Sequence, residues 1–361
     1  MTSAWALTHF RRFFAALTHR ASKRLACSGP RAPARHHARV RILLTGISGF
    51  AGSALLPTLL EQGHDVRALA RDRTRVESTL QSVALESHID ATLADFELVI
   101  GDTLSGAGMV QAMRDTEVAY YLIHSMEPSS GGTSAISFSA RERASAQTFA
   151  DAARAAGVQR IVYLGGPLPP KRASTHLSSR YAVERILLDG VPGSVALRAS
   201  IVIGARSRSF RFLVRLIERL PIIALPAWRH FRTCPIDARD LVEILAACAS
   251  NEDVAGGALE IAGAEALTYG ELVQRIAELM MLSRPSLGLG VSVTPIAARL
   301  AAVLTDEQPE LVLPLMEGLT SDLLPDGQQA ASALNVELHS FDSAVEHALY
   351  EWEKREPLAA R

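Results

Sequence analysis

Cysteine is scarce: the 361 residues hold three, Cys27, Cys234 and Cys248. They are scattered, with no CxxC or Cys/His spacing. No disulfide framework and no metal site is predicted, and a reducing compartment fits. Long hydrophobic runs are also missing. A membrane helix needs about 18 or more continuous apolar residues. The best stretch, Phe212 to Trp228, is broken by Arg215, Glu218, Arg219, Pro221 and Pro226, so no transmembrane segment is predicted. Acidic residues are absent from residues 1–39, which carry eight Arg or Lys. The other 29 basic side chains face all 38 acidic ones, so residues after 39 carry a formal −9. A mildly acidic body does not favour a nucleic-acid partner. No internal repeat is visible. What is present is an ordinary globular composition, 48% apolar and 21% charged, long enough for one large domain or two.

Residues 1–39 differ from the rest. Leu7, Phe10, Phe13, Phe14 and Leu17 share one helical face, and a Pro/Arg/Ala stretch follows Cys27. The bland reading is a disordered extension, or a start codon set too far upstream. The acid-free, Arg-rich pattern also resembles a mitochondrial transit peptide or a peripheral membrane anchor. A cytoplasmic protein is expected, with organelle targeting or peripheral membrane attachment through residues 1–39 as the alternative.

The rest of the chain is organised around Arg41-Ile-Leu-Leu-Thr-Gly46-Ile-Ser48-Gly49-Phe50-Ala-Gly52-Ser53. Ile42–Leu44 reads as a buried strand. Glycines follow at three-residue spacing, and a helix begins inside the repeat, with Leu55, Leu56, Leu59 and Leu60 on one face. In this context Gly46, Ser48, Gly49, Phe50 and Gly52 predict a dinucleotide site. Glycines let backbone approach a pyrophosphate, and the helix N-terminus offers free N–H groups and a positive dipole end.

Strand and helix patterns then alternate: strands at 65–70, 97–100, 119–123, 160–164 and 194–197, and helices at 50–63, 105–114, 138–156 and 176–189. One helix plus a loop is expected in 73–95. The alternation predicts an α/β fold with a doubly wound parallel sheet over 40–205. Residues 206–361 read as a smaller, mostly helical substrate-capping region interleaved with the sheet. Its helices are expected at 207–220, 238–249, 268–281, 294–304, 308–318 and 342–354, with strands near 233–236 and 259–262. Phe210, Phe212, Trp228 and the arginine-bearing helix 207–220 are candidates for a substrate wall, or simply core and solvated charge.

Strand two ends in Arg71, then Asp72 and Arg73. An acid there would bind a ribose 2′-hydroxyl, whereas a guanidinium suits a 2′-phosphate. Arg71 therefore favours NADP, with NAD second through Asp72. Asp102 ends strand three beside the expected adenine pocket; the competing role is an Asx turn or helix cap. His124 and Ser125 end strand four, where the nicotinamide ribose should pass.

Together these pieces resemble the short-chain dehydrogenase/reductase superfamily, of atypical or extended type. Thr45-Gly46-Ile-Ser-Gly49-Phe-Ala-Gly52 matches its T-G-x-x-G-x-x-G pattern, and Gly101-Asp102 its adenine-side acid. Tyr120–Met126, Arg160–Gly166, Leu197–Gly204, Leu220-Pro221, Pro235-Ile-Asp237 and Ile261–Gly263 followed by Leu267-Thr-Tyr269 are similar to a bacterial group of NAD(P)H-binding reductases near the NmrA-like and triphenylmethane-reductase-like branches. The resemblance spans about residues 40–355.

It implies a Tyr-x-x-x-Lys proton relay with a preceding Ser, and the chain departs from that. His176 stands at the Tyr position, Arg180 at the Lys position, and Gly165 and Gly166 at the Ser position. Three readings stay open. His176 replaces the acid, with Arg180 on the nicotinamide ribose. Tyr181 and Arg185 form an offset pair. Or no side chain is a specialised acid, and cofactor positioning alone serves an activated acceptor. The resemblance implies an NAD(P)H-dependent oxidoreductase acting on a small or medium hydrophobic acceptor such as a quinone, carbonyl or conjugated compound. The alternative is a non-catalytic NAD(P)-binding regulator or assembly protein. No oligomeric state can be read.

Overall fold

The computed structural model describes residues 39–87, 91–123, 138–168, 175–251, 254, 256–288 and 321–358. Seven parallel strands form the main sheet: β1 (Arg41–Thr45), β2 (Asp65–Ala70), β3 (Glu97–Ile100), β4 (Val118–Tyr121), β5 (Arg160–Gly165), β6 (Val195–Ala199) and, after an excursion, β11 (Gly257–Ile261). Their spatial order is β11-β6-β5-β4-β1-β2-β3. The order reverses between β1 and β4, which opens a crevice at their carboxyl ends.

The pleat explains the two layers. Ile42 and Leu44 point into one core and Leu43 into the other, all at most 1% exposed. The first face is covered by α1 (Phe50–Glu61), α2 (Arg73–Ser87) and α7 (Ala238–Ser250). The second carries α3 (Met109–Met113), α4 (Phe138–Ala155) and α5 (Thr175–Gly190). Both faces are buried, so the strands read as near-continuous apolar runs.

The excursion between β6 and β11 contains β7 (Val202–Ile203), α6 (Arg208–Arg219), β8 (Ile223–Leu225), a 3₁₀ turn (Ala227–His230), β9 (Arg232–Thr233) and β10 (Ile236–Asp237), then α7. Beyond β11 come β12 (Leu267–Thr268), α8 (Tyr269–Leu279), β13 (Ser286–Gly288), α9 (Ala330–Leu334) and α10 (Phe341–Glu353). Three two-stranded pairs, β7–β10, β9–β12 and β8–β13, tie this region together. Asp237 caps α7 by accepting from Arg239 N–H, and Thr268 with Glu271 forms a capping box on α8. Each cap contributes about 1 kcal/mol.

A third core joins α6, α8 and α10. Trp352 is buried at its centre, and the Arg211 and Arg215 guanidinium groups lie 4.8 and 5.1 Å from its ring centre. Arg215 also pairs with Glu218 at 2.6 Å and with Glu356. These arginines are therefore structural stems and braces. Phe210 is 0% exposed and packs edge-on to Trp352, so it is core rather than a substrate wall. Trp228 is buried in the same core.

The helix expected at 105–114 is only α3. Residues 102–108 close on themselves instead: Asp102 N–H donates to the Ala107 carbonyl and Gly106 N–H to that of Asp102. Gly106 and Gly108 adopt φ of 78° and 74°, outside helical space. The strand expected at 233–236 is two short ones, β9 and β10, pairing with different partners. Residues 1–38, and the helices expected at 294–304 and 308–318, lie outside the described residues.

Candidate active site

The crevice is built from β1 outward. Thr45, fully buried, donates its hydroxyl to the Tyr120 carbonyl at 2.7 Å and accepts from Leu122 N–H at 3.3 Å. That pins the ends of β1 and β4 at the reversal point. Gly46 turns the chain with φ +73°, and a Cβ there would collide with the Leu122 carbonyl. A Cβ on Gly52 would collide with the Gly46 carbonyl. Gly49 N–H donates to that same carbonyl at 2.8 Å. At Gly46 and Gly52 the loop is thus wound too tightly for a side chain, and it leads directly into α1.

Helix α1 has Gly49 as N-cap, no side-chain cap and no acid in its first turn. Its opening N–H groups are left for an external acceptor. Ser48, Gly49 and Phe50 are all half-buried on this turn. This cradle fits the diphosphate of a dinucleotide. Ser53, in the first turn, donates its hydroxyl to the Gly49 carbonyl at 2.7 Å and accepts from Arg206 Nη1 at 2.9 Å. Arg206 follows Gly204, against which the Phe50 ring packs. Arg206 is half-buried, and desolvation lowers its guanidinium below the ordinary range.

At the β2 end, Arg71, Asp72 and Arg73 are exposed. Asp72 caps α2, accepting from Thr74 N–H at 2.8 Å and Arg75 N–H at 3.3 Å. Arg73 leans on Glu77 at 3.9 Å. Arg71 makes no hydrogen bond or ion pair among the described residues. Asp102 is half-buried and accepts from Leu104 N–H at 3.1 Å, an Asx turn that engages one of its two oxygens. His124 and Ser125 lie outside the described residues.

On α5, His176 is half-buried and Arg180 buried, one turn apart. Arg180 Nη2 donates to the Leu164 carbonyl at 2.5 Å, at the end of β5, and the guanidinium stands 5.3 Å from the Tyr163 ring centre. Burial, and then the Arg180 charge, lower His176 to about 4. The imidazole is neutral near pH 7. It can accept a proton or a hydrogen bond, but it holds no imidazolium proton to give. Tyr181 is 40% exposed and Arg185 pairs with Asp189 at 3.4 Å, so the offset pair faces outward.

Behind Arg180 lies a buried polar layer with no sequence spacing to announce it. Ser179 donates to Glu142 at 2.7 Å, and the Thr103 and Ser145 hydroxyls meet at 2.5 Å. Tyr163 donates its hydroxyl to the Arg180 carbonyl at 3.3 Å. Burial pushes the Tyr163 phenol up to about 12, against the lowering by Arg180, and raises Tyr121 further. Neither phenol is an activated acid. Glu184 and Arg198 form a further buried pair at 2.7 Å, shared with Glu260 at 3.1 Å. Among the described residues no His, Cys, Asp or Glu cluster could hold a metal, and no helix is long and apolar enough to cross a membrane.

Residues 42–188 match the model of the NAD dependent epimerase/dehydratase family. A 3-beta-hydroxysteroid dehydrogenase of Mycolicibacterium neoaurum is 31% identical over 127 residues. That match takes in 34% of this chain and 31% of the relative, so the chain spans about a third of the relative's length. Among solved structures, a nucleoside-diphosphate-sugar epimerase of Staphylococcus aureus superposes with a TM-score of 0.66 at 14% identity, over 85% of this chain and 99% of that one. A UDP-glucuronic acid 4-epimerase of Bacillus cereus, solved with NAD and its sugar nucleotide, gives 0.62 at 16% identity, covering 87% and 99%. A Bordetella bronchiseptica enzyme in complex with NAD+ gives 0.63 at 17%, covering 88% and 100%. At these identities the likeness is one of fold.

Proposed function

We propose that this chain, whose residues 42–188 match the NAD dependent epimerase/dehydratase family model, is an NADP(H)-preferring oxidoreductase of the extended short-chain dehydrogenase/reductase type. Its acceptor is a small or medium hydrophobic compound already activated toward reduction, such as a quinone or a conjugated carbonyl. The reading rests on one observation above the rest: His176 and Arg180 replace the Tyr-Lys pair, and His176 is held neutral.

Bound nicotinamide supplies a hydride. Gly46, Gly49, Gly52 and the open first turn of α1 hold the diphosphate. Arg71 takes a 2′-phosphate, since Asp72 is engaged as a cap and Arg73 has Glu77 beside it. Asp102 keeps one carboxylate oxygen for the adenine amine. Arg180 keeps a fixed positive charge at the end of β5, where negative charge developing on an acceptor is stabilised. It cannot deprotonate and so does not relay a proton. The acceptor must therefore tolerate reduction without a side-chain acid, and quinones and conjugated systems do.

The same residues favour a second reading, in which the dinucleotide is bound without turnover and the protein serves as a regulator or assembly factor. A fluorescence titration with NADPH and NADH, followed by NADPH oxidation assays with quinones, dyes and carbonyls, separates the two. Tight NADPH binding with quinone-dependent oxidation is expected. Tight binding with no turnover across the panel would leave the second reading. No binding of either nucleotide would defeat both.

A further inference from the structure

Arg206 is unlike the neighbouring arginines of the cap. Arg211 and Arg215 stack on Trp352, and Arg215 has two carboxylates beside it. Arg206 instead reaches across 153 positions to donate to Ser53 Oγ in the first turn of α1. Among the described residues it has no carboxylate partner. A half-buried cation without a counter-charge is costly. Its location adds to the cost, because a helix N-terminus is already positive. The same turn carries no acidic residue and no side-chain cap. The surroundings hold it in place: Gly204 packs against the Phe50 ring, and its Cβ-free face allows the two segments to meet. A cation, an uncapped 12-residue helix and a glycine cradle therefore converge on one spot with no anion supplied by the described chain.

We propose that Arg206 is a binding residue for the dinucleotide diphosphate: the guanidinium, aimed by Ser53, neutralises the phosphates seated on the glycine loop. The inference rests on the cofactor reading above. It gives the segment after β7 a role in binding, so the cap contributes a charge to the cofactor site as well as covering it. A guanidinium matches two phosphate oxygens at once, which suits it to a diphosphate better than an ammonium.

The test compares Arg206→Gln with the full-length parent in two titrations. NADPH binding is followed by fluorescence, and binding of adenosine 2′-phosphate, which has no diphosphate, by saturation-transfer NMR. The variant should bind NADPH about 10- to 100-fold more weakly while adenosine 2′-phosphate is unaffected. Arg206→Lys should recover part of the NADPH affinity, since the charge returns without the fork. Unchanged NADPH binding in Arg206→Gln overturns the proposal. So does equal weakening of both ligands, which would mark a structural role. If Arg206→Gln does not fold, Arg206→Lys carries the test: binding as tight as the parent's would overturn the fork, and a selective loss toward NADPH supports it. A parent chain that binds no dinucleotide would instead defeat the cofactor reading itself.

Discussion

Arg180 stands one turn beyond His176 on α5, and its charge adds to burial in holding the imidazole near pKa 4. The consequence is a pH dependence of known sign. The unfolded histidine titrates near 6.5 and the folded one near 4, so between these values the unfolded chain binds more protons. Stability is full above about pH 6.5 and falls as the pH drops toward 4. Urea unfolding at pH 7 and pH 4.5 should show a loss of about 1–3 kcal/mol from this group. His176→Gln should flatten that part of the profile. A variant with the parent's slope would mean that His176 is not the group responsible.

The glycine loop predicts its own intolerance. Gly52→Ala puts a methyl group against the Gly46 carbonyl, which is backbone and cannot step aside. The expected cost is about 2–4 kcal/mol, visible as a lowered Tm, together with loss of dinucleotide binding. A Gly63→Ala control meets no atom within 4 Å, although its φ of +80° carries a modest strain of its own. It should keep binding intact.

Arg71→Glu should discriminate between the two nicotinamide nucleotides. On the proposed NADP(H) reading, the substitution removes the exposed guanidinium offered to the 2′-phosphate and puts a repelling carboxylate in its place. NADPH should weaken about 10- to 100-fold while NADH changes less than about threefold. Equal effects in parallel titrations would remove the NADP preference and return the ribose to Asp72.

Arg198→Met tests the buried charge cluster. It leaves Glu184, with 3% of its side chain exposed, without its cation. Removing one partner of a buried pair costs about 3–5 kcal/mol, here measurable by chemical denaturation. Burial raises Glu260, and Arg198 opposes that rise. Without Arg198 the carboxyl should titrate higher still, so the variant should lose less stability in acid than the parent does.

The sheet was legible because its strands carry two-sided apolar runs and its first turn carries the glycine spacing. Four of the seven main strands fall within about a residue of the sequence expectation, while β4, β6 and β11 slide by up to two. The register of glycines likewise gave Gly46 and Gly52 their places. The short pairs β8–β13 and β9–β12 were not legible, since two or three residues carry no periodicity and their partners lie far away in the chain. His176 was visible as a departure from a motif, but its protonation was not. That depends on burial and on Arg180, which spacing alone does not weigh. Arg206 was one arginine among five in a basic stretch. Its separate role follows from Ser53, 153 positions away, and no local pattern joins them.

The pairing of Gly257–Ile261 beside β6 has a bearing on how the chain can be divided. The polypeptide leaves the sheet after β6, builds β7 to α7, and returns to lay down the outermost strand. A fragment ending near 205 would keep the cofactor loop and six strands, yet β6 would become an open edge with unpaired N–H and C=O groups. Such an edge recruits other strands. Expression of the nucleotide-binding half alone would therefore be expected to yield aggregates, and the useful boundary for dissection lies past Ile261 rather than at the end of the alternating pattern.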